Sequence, residues 1–63
     1  MAAGGGEILV EFVVQGNVVK VTAIDPASGT EACILGPGGA PRAALSDAAV
    51  RKLRYILAKQ RPG

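Results

Sequence analysis

The chain contains no histidine and no tryptophan, and only one phenylalanine, one tyrosine, one methionine and one cysteine. Without histidine, neither a Ser–His nor a Cys–His nucleophile can be assembled. A structural zinc site, which needs four Cys or His ligands, is equally out of reach. The lone Cys33 cannot form an intramolecular disulfide. With so few rings, the core has to be aliphatic. Apolar runs such as Ile8-Leu9-Val10 fall far short of the ~20 residues that cross a bilayer as a helix. No Lys or Arg precedes Glu7, and Ala2 stands where N-myristoylation needs glycine, so a cytoplasmic protein without a targeting segment is expected.

What is present is enough for one small domain. Of 63 residues, 49% are apolar, which places the chain among folding rather than disordered sequences. A chain of this length buries only about 60% of the surface its unfolded form exposes. Its core then seldom supplies more than about 3–5 kcal/mol net. Small domains make up the difference with disulfides, metals or a partner subunit. The first two are excluded by composition, so association is the aid that remains. Charge is unevenly spread. Residues 1–40 carry Lys20 against Glu7, Glu11, Asp25 and Glu31, a net −3. Residues 41–63 carry Arg42, Arg51, Lys52, Arg54, Lys59 and Arg61 against Asp47, a net +5.

Residues 1–6 are small and polar-poor, with nothing to bury, and are expected to be a disordered tail. The domain is expected over 7–63. From Glu7, Ile8, Val10, Phe12 and Val14 alternate with Glu7, Leu9, Glu11 and Val13, the period of a strand. Gly16-Asn17 suits a type II′ hairpin turn. Val18 to Asp25 reads as a second strand, and Pro26 to Gly29 as a turn in which Gly29 takes the left-handed position. Glu31 to Leu35 reads as a short third strand, followed by a Gly/Pro-rich linker from Gly36 to Pro41. Ser46 or Asp47 is positioned to cap a helix running to about Gln60. On the helical wheel, Ala49, Val50, Leu53, Ile56 and Leu57 form one stripe. The expected fold class is α+β: a three-stranded antiparallel meander with one C-terminal helix packed on one face (β-β-β-α).

Strand parity sorts the side chains further. A two-residue loop at Gly16-Asn17 pairs Val14 with Val19, Phe12 with Val21 and Val10 with Ala23, and a loop shifted to Gln15-Gly16 changes the partners but keeps the same faces together. A four-residue turn over Pro26 to Gly29 pairs Ala23 with Ala32 and Val21 with Ile34. One face thus gathers Ile8, Val10, Phe12, Val14, Val19, Val21, Ala23, Ala32 and Ile34, for the helix to cover. The opposite face gathers Leu9, Val13, Val18, Ile24, Cys33 and Leu35 among Glu7, Glu11, Lys20, Thr22 and Glu31. An open antiparallel sheet should show water a mostly polar face. Six apolar side chains there form a candidate protein interface, for a second copy or another protein.

No constellation for catalysis stands out, and no cofactor is implied. Glu7 and Glu11 lie about 13 Å apart along one strand at ~3.3 Å per residue, beyond the about 5–9.5 Å of paired glycosidase carboxylates. Gly36 to Arg42 lacks the Gly-Lys-Ser/Thr ending of a phosphate-binding loop. Cys33 has no base to activate it, and Ser28 and Ser46 suit turn and cap roles. The alternative to a protein interface is nucleic-acid binding through a basic patch of Arg42, Arg51, Arg54, Lys59 and Arg61 around Tyr55.

Val19-Lys20-Val21-Thr22-Ala23-Ile24-Asp25-Pro26, Gly29-Thr30-Glu31, Ala40-Pro41-Arg42 and Val50-Arg51-Lys52-Leu53 together resemble a small uncharacterised protein family of alphaproteobacteria. The resemblance spans most of Glu7 to Lys59. It implies a bacterial, cytoplasmic, stand-alone domain and transfers no activity and no site residue. Three strands and a C-terminal helix also look like domains that read the DNA major groove with a sheet. Here the free face would turn three glutamates toward phosphates, which speaks against that analogy.

Overall fold

Three β-branched runs and one alanine- and leucine-rich run set the element order. In the computed structural model, which describes residues 7–60, these are β1 (Leu9–Gln15), β2 (Val18–Asp25), β3 (Thr30–Pro37) and α1 (Arg42–Gln60). The sheet is antiparallel in the order β1-β2-β3, so the fold is the expected β-β-β-α. The tail expected over residues 1–6 lies outside the described residues, as does Arg61.

Both turns form as their residues dictate. Gly16 has φ +61° and Gly29 φ +77°, and no described non-glycine residue has a positive φ. A positive φ at the first loop residue alone is the type II′ pattern. Asp25 fastens the second turn. Its carbonyl accepts the Gly29 N–H at 2.8 Å, and its carboxylate accepts from the Ala27 N–H at 3.2 Å and the Ser28 hydroxyl at 2.8 Å. The resulting register pairs Val14 with Val19, Phe12 with Val21, Val10 with Ala23, Ala23 with Ala32 and Val21 with Ile34. Strand parity therefore places each residue of the anticipated faces on the side expected of it.

Two boundaries differ from expectation. β3 continues through Gly36 and Pro37, which pair with Val19 and Val18. Pro37 is tolerated because its missing N–H would have pointed to the free edge of the sheet. The helix begins at Arg42, a full turn before Ser46. Its first hydrogen bond runs from the Leu45 N–H to the Pro41 carbonyl at 3.1 Å. Pro41 enters with φ already near the helical value, and Ala43, Ala44 and Leu45 are strong helix formers. The early start places Leu45 in the core, and that burial outweighs a side-chain cap. Ser46 becomes an interior helical residue.

The core consists of Val19, Val21 and Ala23 from β2, Ala32 from β3, and Leu45, Ala49 and Leu53 from α1. Ile8, Val10, Phe12, Ile34, Val50, Ile56 and Leu57 pack around it, half-buried. The helix lies over β2 and β3 and touches β1 only lightly. Val14, expected beneath the helix, is consequently 61% exposed. Gly36 is buried directly under Leu45: a Cβ there would collide with the Leu45 Cδ2 methyl.

Leu53→Ala is expected to cost about 2–5 kcal/mol, enough to unfold a marginal domain. Phe12→Ala will cost less than the ~3–5 kcal/mol of a fully buried ring, because Phe12 is only half-buried. Urea unfolding ranks the two. Gly36→Val is expected to destabilise strongly, and combining it with Leu45→Ala should lose less than the sum of the two single losses. Additive losses in the double variant would show that the helix does not rest on Gly36.

Candidate functional site

The side of the sheet away from α1 has no layer over it within the described residues. Register arranges it in four rows across β1, β2 and β3: Leu9, Ile24, Glu31; Glu11, Thr22, Cys33; Val13, Lys20, Leu35; Gln15, Val18, Pro37. Leu9, Val13, Val18 and Leu35 are 49%, 42%, 38% and 66% exposed. Ile24 and Cys33 are half-buried on the same face, screened by their cross-strand neighbours. All six residues of the candidate interface thus share one surface. The Thr22 hydroxyl donates to Cys33 Sγ at 3.8 Å, the only side-chain hydrogen bond within the face among the described residues. Glu7, Glu11, Lys20 and Glu31 are exposed, which leaves this side of the sheet net negative.

The basic side chains of the expected patch divide into Arg42 and the rest. Arg42 reaches back over the sheet and places its guanidinium carbon 5.0 Å from the Phe12 ring centroid, a cation–π contact that also shelters the ring. Arg51 and Arg54 line an open depression with Asp47 and Val50. Lys59 lies over the Tyr55 ring at 5.4 Å. At ~100° per residue, Arg51, Arg54 and Lys59 fall within ~140° of one another around Tyr55 on the outward side of the helix, and of the described members of the basic patch only Arg42 points the other way.

Lys52, outside the expected patch, does something sequence reasoning missed. Its Nζ donates to the Cys33 carbonyl oxygen at 2.8 Å, on the outer edge of β3. The wheel holds the only clue: Lys52 directly precedes the buried Leu53 and so sits on the flank of the packed stripe. Ser28 serves the second turn, as expected. Its hydroxyl lies 2.9 Å from that of Thr30 and accepts the Thr30 N–H at 3.2 Å. Thr30 in turn donates to Gln60 Oε1 at 3.3 Å, tying the turn to the end of the helix.

Among the described residues, no side-chain N or O atom is buried without a partner, and no group of three or more His, Cys, Asp or Glu residues could hold a metal ion. No described helix is long and apolar enough to cross a membrane. The site is a surface on which apolar side chains alternate with Glu11, Thr22 and Lys20, acidic toward the Glu7 end. Leu35→Lys is expected to change stability by no more than about 0.5 kcal/mol, because Leu35 is exposed and unpacked. Urea unfolding checks this, and a large loss would show that the open face belongs to the core.

No curated protein and no solved structure matches the chain. One family does, over residues 5–60, nearly the whole chain. Its span includes all three strands, the helix and every residue of the open face, and the chain is a member of the DUF6898 family, a domain of unknown function.

Proposed function

We propose that this chain is a protein-binding domain that works through its open sheet face and performs no chemistry of its own. The observation that carries the reading is the grouping of Leu9, Val13, Val18 and Leu35, all exposed, on one side of a sheet whose only helix lies on the other. Exposed aliphatic surface of this kind favours a partner, since each side chain buried on docking is worth about 1.5–3 kcal/mol before association costs are subtracted. The charges indicate the partner's chemistry. Glu7, Glu11 and Glu31 outnumber Lys20 on this face, so two copies stacked face to face would oppose like charge. A partner with an apolar patch and a basic rim fits better. A single cysteine left unpaired suits a reducing compartment, in keeping with a role in a bacterial cytoplasm.

The test begins with the partner, crosslinked to the native chain in its own cells and then purified. Titration of the purified pair is expected to show at least about tenfold weaker binding for Val13→Lys with Leu35→Lys, a loss of ~1.4 kcal/mol or more. Arg51→Glu with Arg54→Glu should leave binding unchanged, and added salt should weaken it little. Binding that depends on the two arginines and falls steeply with salt would instead indicate phosphate contacts along the helix. Recovery of no partner sensitive to the open-face substitutions would also overturn the proposal.

A further inference from the structure

β1 is the strand least at home in this molecule. Five of its seven residues, Leu9, Val10, Phe12, Val13 and Val14, are apolar, yet none is fully buried. Apolar side chains on both faces are the mark of a strand inside a sheet, whereas β1 lies at an edge. Protected edges carry charge, proline or a bulge. β1 has no proline and one charge, Glu11, and its pairing with β2 runs unbroken from Leu9 to Gln15.

Among the described residues, the backbone of β1 is correspondingly unpartnered along one side. The two-residue loop makes Gln15 and Val18 a pair that exchanges hydrogen bonds, so Val13–Lys20 and Glu11–Thr22 are the next such pairs. The N–H and C=O groups of Val10, Phe12 and Val14 therefore point away from β2. The same alternation turns the Cys33 carbonyl outward on β3, where Lys52 meets it. The two edges are thus unequal. Lys52 and Pro37 guard β3, whereas β1 carries the single charge of Glu11, which obstructs a pairing only where it meets another carboxylate.

We infer that β1 pairs antiparallel with β1 of a second copy of this chain, about a two-fold axis at Phe12, to make one six-stranded sheet. Charge selects this register. With Phe12 on the axis, Val10 faces the partner's Val14, and Glu11 faces the partner's Val13. Lys20 then stands in the same row as the partner's Glu11, with only Val13 between them, and the contact occurs twice. A shift that centres Glu11 would set it against its own copy, which is unfavourable. The two Arg42 side chains approach one another above the Phe12 pair. Both are exposed and free to turn into water, so this repulsion is small. Because β3 is guarded, pairing closes at two copies instead of propagating. The inference concerns the sheet edge and does not depend on what the open face binds.

The test is the mass of the full chain by sedimentation from micromolar to millimolar concentration. A monomer–dimer equilibrium is expected. Val14→Pro should raise the dimer dissociation constant at least about tenfold, because it removes an outward N–H and crowds the edge. Val14 is 61% exposed and its N–H takes no part in pairing with β2, so the monomer should stay folded by circular dichroism. Leu35→Lys, on the far strand, should leave the dimer unchanged. A wild-type chain that stays monomeric throughout overturns the inference, as does a dimer lost in Leu35→Lys and kept in Val14→Pro. If Val14→Pro fails to fold, amide exchange of the wild type decides: Val10, Phe12 and Val14 should slow with concentration, and unchanged rates overturn the pairing.

Discussion

One helix has to cover one side of a three-stranded sheet, and it is too narrow to cover all of it. An α-helix with its side chains is about 10–12 Å across, and three strands spaced about 4.8 Å apart present a wider surface. The helix settles over β2 and β3, where Leu45, Ala49 and Leu53 meet Val19, Val21, Ala23 and Ala32. Three of these seven core residues are alanine, so the apolar area removed from water is small and each remaining contact matters more.

Gly36 sets where the helix enters. A strand residue without a side chain leaves room for Leu45 to press onto the backbone, which draws the start of α1 toward β3. From there the helix runs with Lys52 reaching over the outer edge and Arg42 reaching back toward Phe12. These two basic residues belong to the packing of the sheet as much as to the charge of the surface. The remaining basic residues of the helix, Arg51, Arg54 and Lys59, stay exposed on its outward side.

The lateral position of the helix leaves two surfaces uncovered, and they have different characters. The open face presents side chains in rows, apolar with an acidic end, and offers area without a hydrogen-bonding ladder. The edge of β1 presents backbone groups, flanked by apolar side chains above and below. The first suits a partner of complementary surface, the second another strand. A small domain with a thin core has reason to use both, since association adds burial that the chain cannot supply alone.

Local chemistry determined most of the architecture. Alternation of β-branched residues, the Gly16-Asn17 loop and the Pro26 to Gly29 turn were enough to place the three strands, apart from the end of β3, and the faces of the residues assigned to them, including all six residues of the open face. Those features act over two to four residues, within reach of side-chain parity and turn geometry. The helix start was misread because Ser46 and Asp47 carry a genuine capping signal, which the burial of Leu45 overrides from across the molecule. Gly36 looked like linker because nothing local shows that Leu45 lies above it. The exposure of Val14, the guarding of β3 by Lys52 and the contact of Arg42 with Phe12 likewise follow from where the helix lies across the sheet. That placement is a contact between segments distant in sequence, set by the fit of side-chain volumes, and only the tertiary structure decided it.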